Sequence, residues 1–237
     1  MSSPPDFSIV IPVFNEEAIL QAAVVDLRER LSTFPERAEI ILAENGSTDR
    51  TLEIAVNLSQ RFPDVRFVTI GSPNYGKALR EGVLASRAQY VVCEEIDLCD
   101  TTFHRRALDL LKTRALDMVI GSKLLRGAQD ERPFVRHAAS LLYNGLLRVA
   151  VGFEGTDTHG LKAFDREALL PVVSACLVDR DVFASELVVR AYRAGLRIRE
   201  IPVRVLEKRT PSINLTRRVP NVLKNVAKLT WAVRIRG

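Results

Sequence analysis

The 237-residue sequence predicts an α/β fold: a mostly parallel sheet flanked by helices, followed by a C-terminal amphipathic helix. Three observations carry this. Phe7–Val13 is an unbroken apolar run, as a strand covered on both faces requires. Runs of that kind alternate with segments whose apolar residues recur at helical spacing, the pattern of βαβ units. From Thr216 onward, Val219, Val222, Val226, Leu229 and Val233 step by three and four, placing one apolar stripe on a helix that carries Arg217, Arg218, Lys224 and Lys228 elsewhere.

The elements follow in order. After the first strand, Leu20, Ala23, Val24, Leu27 and Leu31 mark a helix. Ala38–Ala43 is the second strand, and polar Ser47-Thr48-Asp49 opens a helix over Thr51–Phe62. Val65–Ile70, Gln89–Glu94 and Leu116–Gly121 read as further strands, with helices near Gly76–Arg87 and Thr102–Arg114 between them. The pattern then changes. Arg136–Val151 reads as a helix rich in Ala and Leu, Thr156–Phe164 as a polar, Gly-containing stretch, Asp181–Ala194 as a helix and Leu196–Val205 as a strand.

Composition narrows the function classes. With 47% apolar and 27% charged residues the chain is neither disordered nor fibrous. At this size a core needs no disulfide staples. Cys93, Cys99 and Cys176 show no metal-ligand spacing with His and fit a reducing compartment. The first residues lack a basic and an apolar signal region, and no apolar run reaches the ~18–20 residues of a membrane span. A cytoplasmic protein is the expectation, with peripheral attachment to the inner membrane face as its variant. The net charge of +5 is concentrated: from Arg204 onward there are nine Lys or Arg against the single acid Glu207. No nucleic-acid motif accompanies this basic segment, so nucleic acid is not an expected partner.

In parallel α/β sheets, ligands sit beyond the carboxyl ends of the strands. Strand one ends in Pro12-Val13-Phe14-Asn15-Glu16, strand two in Glu44-Asn45-Gly46-Ser47 and strand four in Glu94-Glu95-Ile96-Asp97. Acids at helix starts are favoured by the helix dipole, but three strand ends bringing carboxylates to one edge suit a polar ligand or a hard cation. Two carboxylates two residues apart at a strand end can reach a ribose with one side chain and, with the other, a Mg²⁺ or Mn²⁺ that also takes phosphate oxygens. No Gly-x-Gly-x-x-Gly follows the first strand, which argues against a dinucleotide-dependent oxidoreductase.

Taken together, Ser8-Ile-Val-Ile-Pro-Val-Phe-Asn-Glu-Glu17, Glu44-Asn-Gly-Ser-Thr-Asp-Arg-Thr51 and Glu95-Ile-Asp97 resemble family 2 glycosyltransferases of the GT-A fold. The branch most similar is that of dolichyl-phosphate mannose synthases and related polyprenyl-phosphate hexosyltransferases. The resemblance continues through Gly121-Ser122-Lys123, Arg136 with Ser140, Asp157-Thr-His-Gly-Leu-Lys162, Glu186 and Glu200-Ile-Pro-Val203. The family usually has Asp where Glu44 and Glu95 stand, and a small residue in place of Ile96.

The resemblance implies a single domain over residues 1–237, with a nucleotide-binding half to about 120, an acceptor half to about 215 and the basic helix beyond. It implies that Pro12, Phe14, Glu16 and Glu44 line the base and ribose of a UDP- or GDP-hexose, beside Glu95, Ile96 and Asp97. Asp97, with Glu95, would bind Mg²⁺ or Mn²⁺. Lys123, Arg136, Ser140 and Arg209 would face phosphate groups of the nucleotide or of a polyprenyl-phosphate acceptor. Inverting transfer to a lipid phosphate needs little general-base help, because the acceptor is already anionic. Transfer to a hydroxyl requires a carboxylate base, for which Asp157 and Glu186 are the candidates. A degenerate domain that binds without turnover remains the alternative. The basic C-terminal helix with Trp231 is the expected membrane-surface contact, its own alternative being that the apolar stripe packs on the core.

Overall fold

The computed structural model describes residues 4–130, 134–178, 182–205 and 215–234. A seven-stranded sheet forms its centre. The strands are β1 (Phe7–Val13), β2 (Ala38–Glu44), β3 (Val65–Thr69), β4 (Tyr90–Cys93), β5 (Met118–Ser122), β7 (Leu161–Asp165) and β8 (Ile198–Pro202), in the order β3-β2-β1-β4-β7-β5-β8. The short strands β6 (Gln129–Asp130) and β9 (Arg204–Val205) pair separately.

Every pairing in the large sheet is parallel except those of β7, which runs antiparallel to both β4 and β5. This reversal has a functional consequence. Because β7 points the other way, its amino end joins the carboxyl ends of β1, β2, β4, β5 and β8 at one edge of the sheet. The segment before it, Asp157–Gly160, is thereby delivered to the same edge as the strand-end acids.

Strand side chains alternate between two apolar layers. Phe7, Ile9, Ile11 and Val13 of β1 face helices α1 (Leu20–Leu31), α2 (Thr51–Arg61) and α4 (Thr101–Lys112), joined by Ile40, Leu42, Val92 and Val119. On the opposite face, Val10, Ile41, Val91 and Ile120 meet α3 (Tyr75–Ala85), α5 (Phe134–Val151), α6 (Arg166–Ala175), α7 (Phe183–Arg193) and α8 (Leu215–Arg234). Strands covered on both sides explain the unbroken apolar runs in the sequence. One helix packs unusually close: a Cβ at Gly82 of α3 would overlap Val10 Cγ1 of β1.

Two elements differ from the expectation. The stretch Thr156–Phe164, read from the sequence only as polar and Gly-containing, holds most of β7, and α6 follows it directly with Asp165 as N-cap, its carboxylate accepting from the Glu167 and Ala168 amides. The C-terminal helix forms, but Val226, Leu229, Ala232 and Val233 are buried in the second apolar layer. Arg190 and Arg193 of α7 donate to the Ala232 and Val233 carbonyls and fasten its last turn. The stripe therefore meets protein, and the residues of α8 that face outward include Lys224, Lys228, Trp231 and Arg234. Among the described residues, no helix is long and apolar enough to cross a membrane.

Candidate active site

The loops after β1 and β2 form one hydrogen-bonded unit. Asn15 takes the left-handed conformation (φ 53°), and its side chain accepts from the Thr48 amide at 2.9 Å. The Asn15 amide donates to Ser47 Oγ, that of Glu16 to Thr51 Oγ1, and that of Glu17 to Asp49. This lacing fixes the neighbourhood of Pro12, Phe14 and Glu16. Phe14 stays exposed, whereas Pro12 and Glu16 are half-buried. Glu44 is buried beneath the unit. Its Oε1 accepts from the Ser47 amide and its Oε2 from Thr69 Oγ1. Burial alone would raise this carboxyl; the Ser47 and Thr69 bonds outweigh it and hold it below the usual glutamate range. Asn45 accepts from the Asn74 amide, so the same strand end positions the start of α3.

At the end of β4 the adjacent acids divide their roles. Glu94 and His104 are fully enclosed, with Oε2 at 2.7 Å from Nε2. Glu94 also accepts from the amides of Glu95 and Asp100, so it clamps both ends of the loop carrying the acidic triplet. Ile96, expected beside the nucleotide, turns its side chain into the first apolar layer at 5% exposure. Only its backbone remains at the edge. Glu95 is exposed and Asp97 half-buried.

Glu95, Tyr75 and His159 share a telling property. Each exposes considerable surface, yet protein surrounds each closely enough for burial to dominate its ionisation. Crowding raises the Glu95 carboxyl, with Asp97 adding repulsion and Lys123 and Lys162 opposing it. Crowding likewise raises the Tyr75 phenol, helped by the Glu95 charge. Withdrawal from water, then Lys123 and Lys162, push the His159 imidazole down to about 4 against the pull of Asp157.

Lys123, after β5, reaches Asp157 before β7, with Nζ 3.2 Å from Oδ2. Burial favours the neutral carboxyl at Asp157, but Lys123 and the His159 amide outweigh it and hold the group below the ordinary range. The loop carrying Asp157 is held from behind by Glu200 of β8, which accepts from the Thr156 amide at 2.7 Å. Lys162 lies one pleat deeper, at 3% exposure, and donates to the Gly160 carbonyl. Burial lowers its pKa.

The remaining expected residues separate. Ser140 lies half-buried on α5. Arg136 is in the same helix, its side chain outside the described residues, as is the whole of Arg209. Glu186, a candidate base, is fully buried: its oxygens accept from the Leu177 and Val178 amides and from Arg190 Nε. This carboxylate holds the segment between α6 and α7 and is enclosed away from solvent.

A divalent cation is compatible with Glu95 and Asp97. They are hard oxygen donors whose mutual repulsion a cation relieves, and no group of three or more potential ligands exists among the described residues. Mg²⁺-type sites use one or two carboxylates with water and substrate phosphate completing the shell. Tyr75 and Lys162 had not stood out in the sequence, although Tyr75 adjoins Gly76-Lys77 at a helix start and Lys162 closes the Asp157–Lys162 stretch.

Comparison with known proteins identifies the family and the fold. The model of the family described as "Glycosyl transferase family 2" matches residues 8–170. The glycosyltransferase AglD of Haloferax volcanii is 28% identical over 98% of this chain and 38% of its own length. A dolichyl-phosphate beta-glucosyltransferase of Trichomonas vaginalis is 29% identical over 83% of this chain and 64% of its own. That of Saccharomyces cerevisiae is 26% identical over 83% and 65%. The chain thus spans less than two thirds of these relatives. Glucosyl-3-phosphoglycerate synthase from Mycobacterium tuberculosis, solved with Mn²⁺, UDP-glucose and phosphoglyceric acid, superposes with a TM-score of 0.65, at 21% identity over 95% of this chain and 80% of that one. The GT-A fold expected from the sequence is the fold found. The chain belongs to glycosyl transferase family 2.

Proposed function

We propose that the chain transfers a hexose from a UDP- or GDP-sugar to a polyprenyl phosphate with inversion. One observation carries the choice of acceptor: among the described residues, neither carboxylate expected to act as a base, Asp157 or Glu186, is available for that role. Asp157 is paired with Lys123 and held in its ionised form, which makes it a weak proton acceptor, and Glu186 is enclosed. A hydroxyl nucleophile would need a base that these residues do not provide. A phosphate monoester is already anionic, so positioning and charge stabilisation suffice. The dolichyl-phosphate beta-glucosyltransferases among the relatives support the same acceptor class.

In this reading Pro12, Phe14, Glu16 and Glu44 shape the nucleoside side, and Glu95 with Asp97 hold Mg²⁺ or Mn²⁺. The cation, when bound, neutralises the diphosphate leaving group. Lys123 faces the phosphates, with Ser140, Arg136 and Arg209 completing that role. Membrane-surface contact belongs to the same reading, with its location revised. The apolar stripe of α8 is covered, but α5, packed against α8, exposes Leu141, Leu142 and Val149. Basic Lys224 and Lys228 lie on the outward face of α8. An exposed apolar face on one helix, with basic residues exposed on the helix packed against it, suits an anionic bilayer surface.

The test is transfer of labelled sugar from UDP-glucose, UDP-galactose and GDP-mannose to a short polyprenyl phosphate with Mg²⁺ or Mn²⁺ present. Product formation with the phosphate, and none with the matching free polyprenol, is expected. Transfer to the alcohol alone would overturn the acceptor assignment.

A further inference from the structure

A chain of hydroxyl groups runs from α5 through α7 to the site. Tyr143 OH of α5 donates to Ser185 Oγ of α7 at 3.0 Å. Ser185 Oγ lies 2.9 Å from Thr158 Oγ1, and Thr158 Oγ1 lies 3.2 Å from Nδ1 of His159. Ser185 and Thr158 are fully buried, whereas His159 is exposed. The ring stacks edge-on against Tyr143, with centroids 5.0 Å apart. Its backbone amide donates to Asp157 Oδ1 at 2.9 Å. Two elements of the acceptor half therefore converge on one imidazole.

Each hydroxyl carries a single hydrogen, so the direction of the first bond constrains the rest. With the Tyr143 hydrogen given to Ser185, the Ser185 hydrogen has Thr158 Oγ1 to receive it. Thr158 can then give its own hydrogen to Nδ1 of His159; its other acceptor, Asn144 Oδ1, is farther away at 3.5 Å. An imidazole that accepts at Nδ1 carries its proton at Nε2. With Nδ1 engaged by buried Thr158, Nε2 is the ring nitrogen of this exposed residue left to meet a ligand.

We propose that the Tyr143–Ser185–Thr158 relay fixes His159 as an Nε2–H hydrogen-bond donor to an oxygen of the acceptor's phosphate. The proposal rests on the transfer reading above and adds a residue to it. The electrostatics agree. Lys123 and Lys162 already supply positive charge beside the ring and, with the ring's withdrawal from water, keep it neutral. A neutral N–H adds direction to oxyanion binding without a third cation's repulsion. Tyr143, Ser185 and Thr158 are positioning residues in this arrangement.

The experiment is a long-range ¹H–¹⁵N correlation spectrum of the whole chain labelled at histidine, at neutral pH, with methyl phosphate as probe. His159→Gln identifies the signal among the three histidines. The expected result is an Nε2–H signature that shifts on addition of methyl phosphate. Tyr143→Phe should give a mixture of tautomers and weaken the phosphate response about fivefold, roughly the effect of losing one neutral hydrogen bond. Thr158→Ser, which keeps the hydroxyl, should behave as wild type and controls for packing. An Nδ1–H or doubly protonated ring, or a ring blind to methyl phosphate, would overturn the proposal. Sugar transfer with a ring blind to phosphate would sink this inference and leave the function standing. A responsive ring without transfer would do the reverse.

Discussion

Lys123 Nζ stands 3.2 Å from Asp157 Oδ2, joining the loop after β5 to the loop before the reversed strand β7. Neither side chain is well solvated, so the pair keeps the Asp157 carboxyl ionised and lowers its pKa. A group lowered on folding stabilises the native state above its unfolded value and loses that contribution as pH falls through the folded one. Asp157→Asn should therefore cost stability that is constant above about pH 4, the unfolded carboxyl range. The difference from wild type should close at lower pH. Urea unfolding of both proteins across that range checks this; a gap that widens in acid would contradict it.

The Glu94–His104 pair supports the acidic triplet without touching a ligand. Glu94→Ala would leave His104 and the Glu95 and Asp100 amides without their acceptor. Each buried unsatisfied group costs about 1–3 kcal/mol, so a loss of several kcal/mol is expected, with nucleotide affinity falling too. Denaturant midpoints and nucleotide titration measure the two effects. His104→Gln should be milder, because an amide can still donate to Glu94.

Gly160 has a steric requirement that its neighbours do not share. A Cβ there would overlap the Gly121 carbonyl on β5, and it would also approach Asp157 Oδ2. Gly160→Ala should displace the Asp157 loop, lowering both the melting temperature and turnover. Gly145, on α5, has open space where its Cβ would lie. Gly145→Ala should raise stability by about 0.5–1 kcal/mol, the usual helical preference for alanine.

Membrane contact is predicted at the outward face of α5 rather than at the stripe of α8. Sedimentation with vesicles containing phosphatidylglycerol should recover the chain, and salt should weaken the association. Leu142→Asp with Val149→Asp should abolish it without changing the melting temperature, since both side chains are exposed. Equal binding by this variant would exclude α5 as the contact.

The first 120 or so residues were largely legible in the sequence because their strands are buried on both faces and their helices carry regular apolar stripes. β7 was not. It is five residues long, carries Lys162 as its second residue and passes into α6 through Asp165 alone, while Pro171 obscures that helix. The edge of the sheet could be located from the strand-end acids, but the division of labour among them could not. Glu94 and Glu95 are adjacent and chemically alike, and only the distant His104 makes one a clamp. Glu186 read as a candidate base because nothing in the sequence shows that Arg190 and the Leu177 amide enclose it, and the α8 stripe left both a membrane surface and the core open as its cover until α7 was placed beside it. The Asp97 and Lys123 positions came from motif resemblance, and the fold places their loops at the same edge.

Sugar transfer by this chain requires a divalent-cation-dependent site for a nucleoside diphosphate at Glu95 and Asp97. Calorimetric titration of the whole chain with UDP and with GDP, with and without Mn²⁺, tests it most directly. One nucleotide should bind only when the cation is present, and Asp97→Ala should weaken it by more than about tenfold, or 1.4 kcal/mol, at an unchanged melting temperature. Absence of binding by either nucleotide with Mn²⁺ or Mg²⁺, or undiminished binding by Asp97→Ala, would contradict the account.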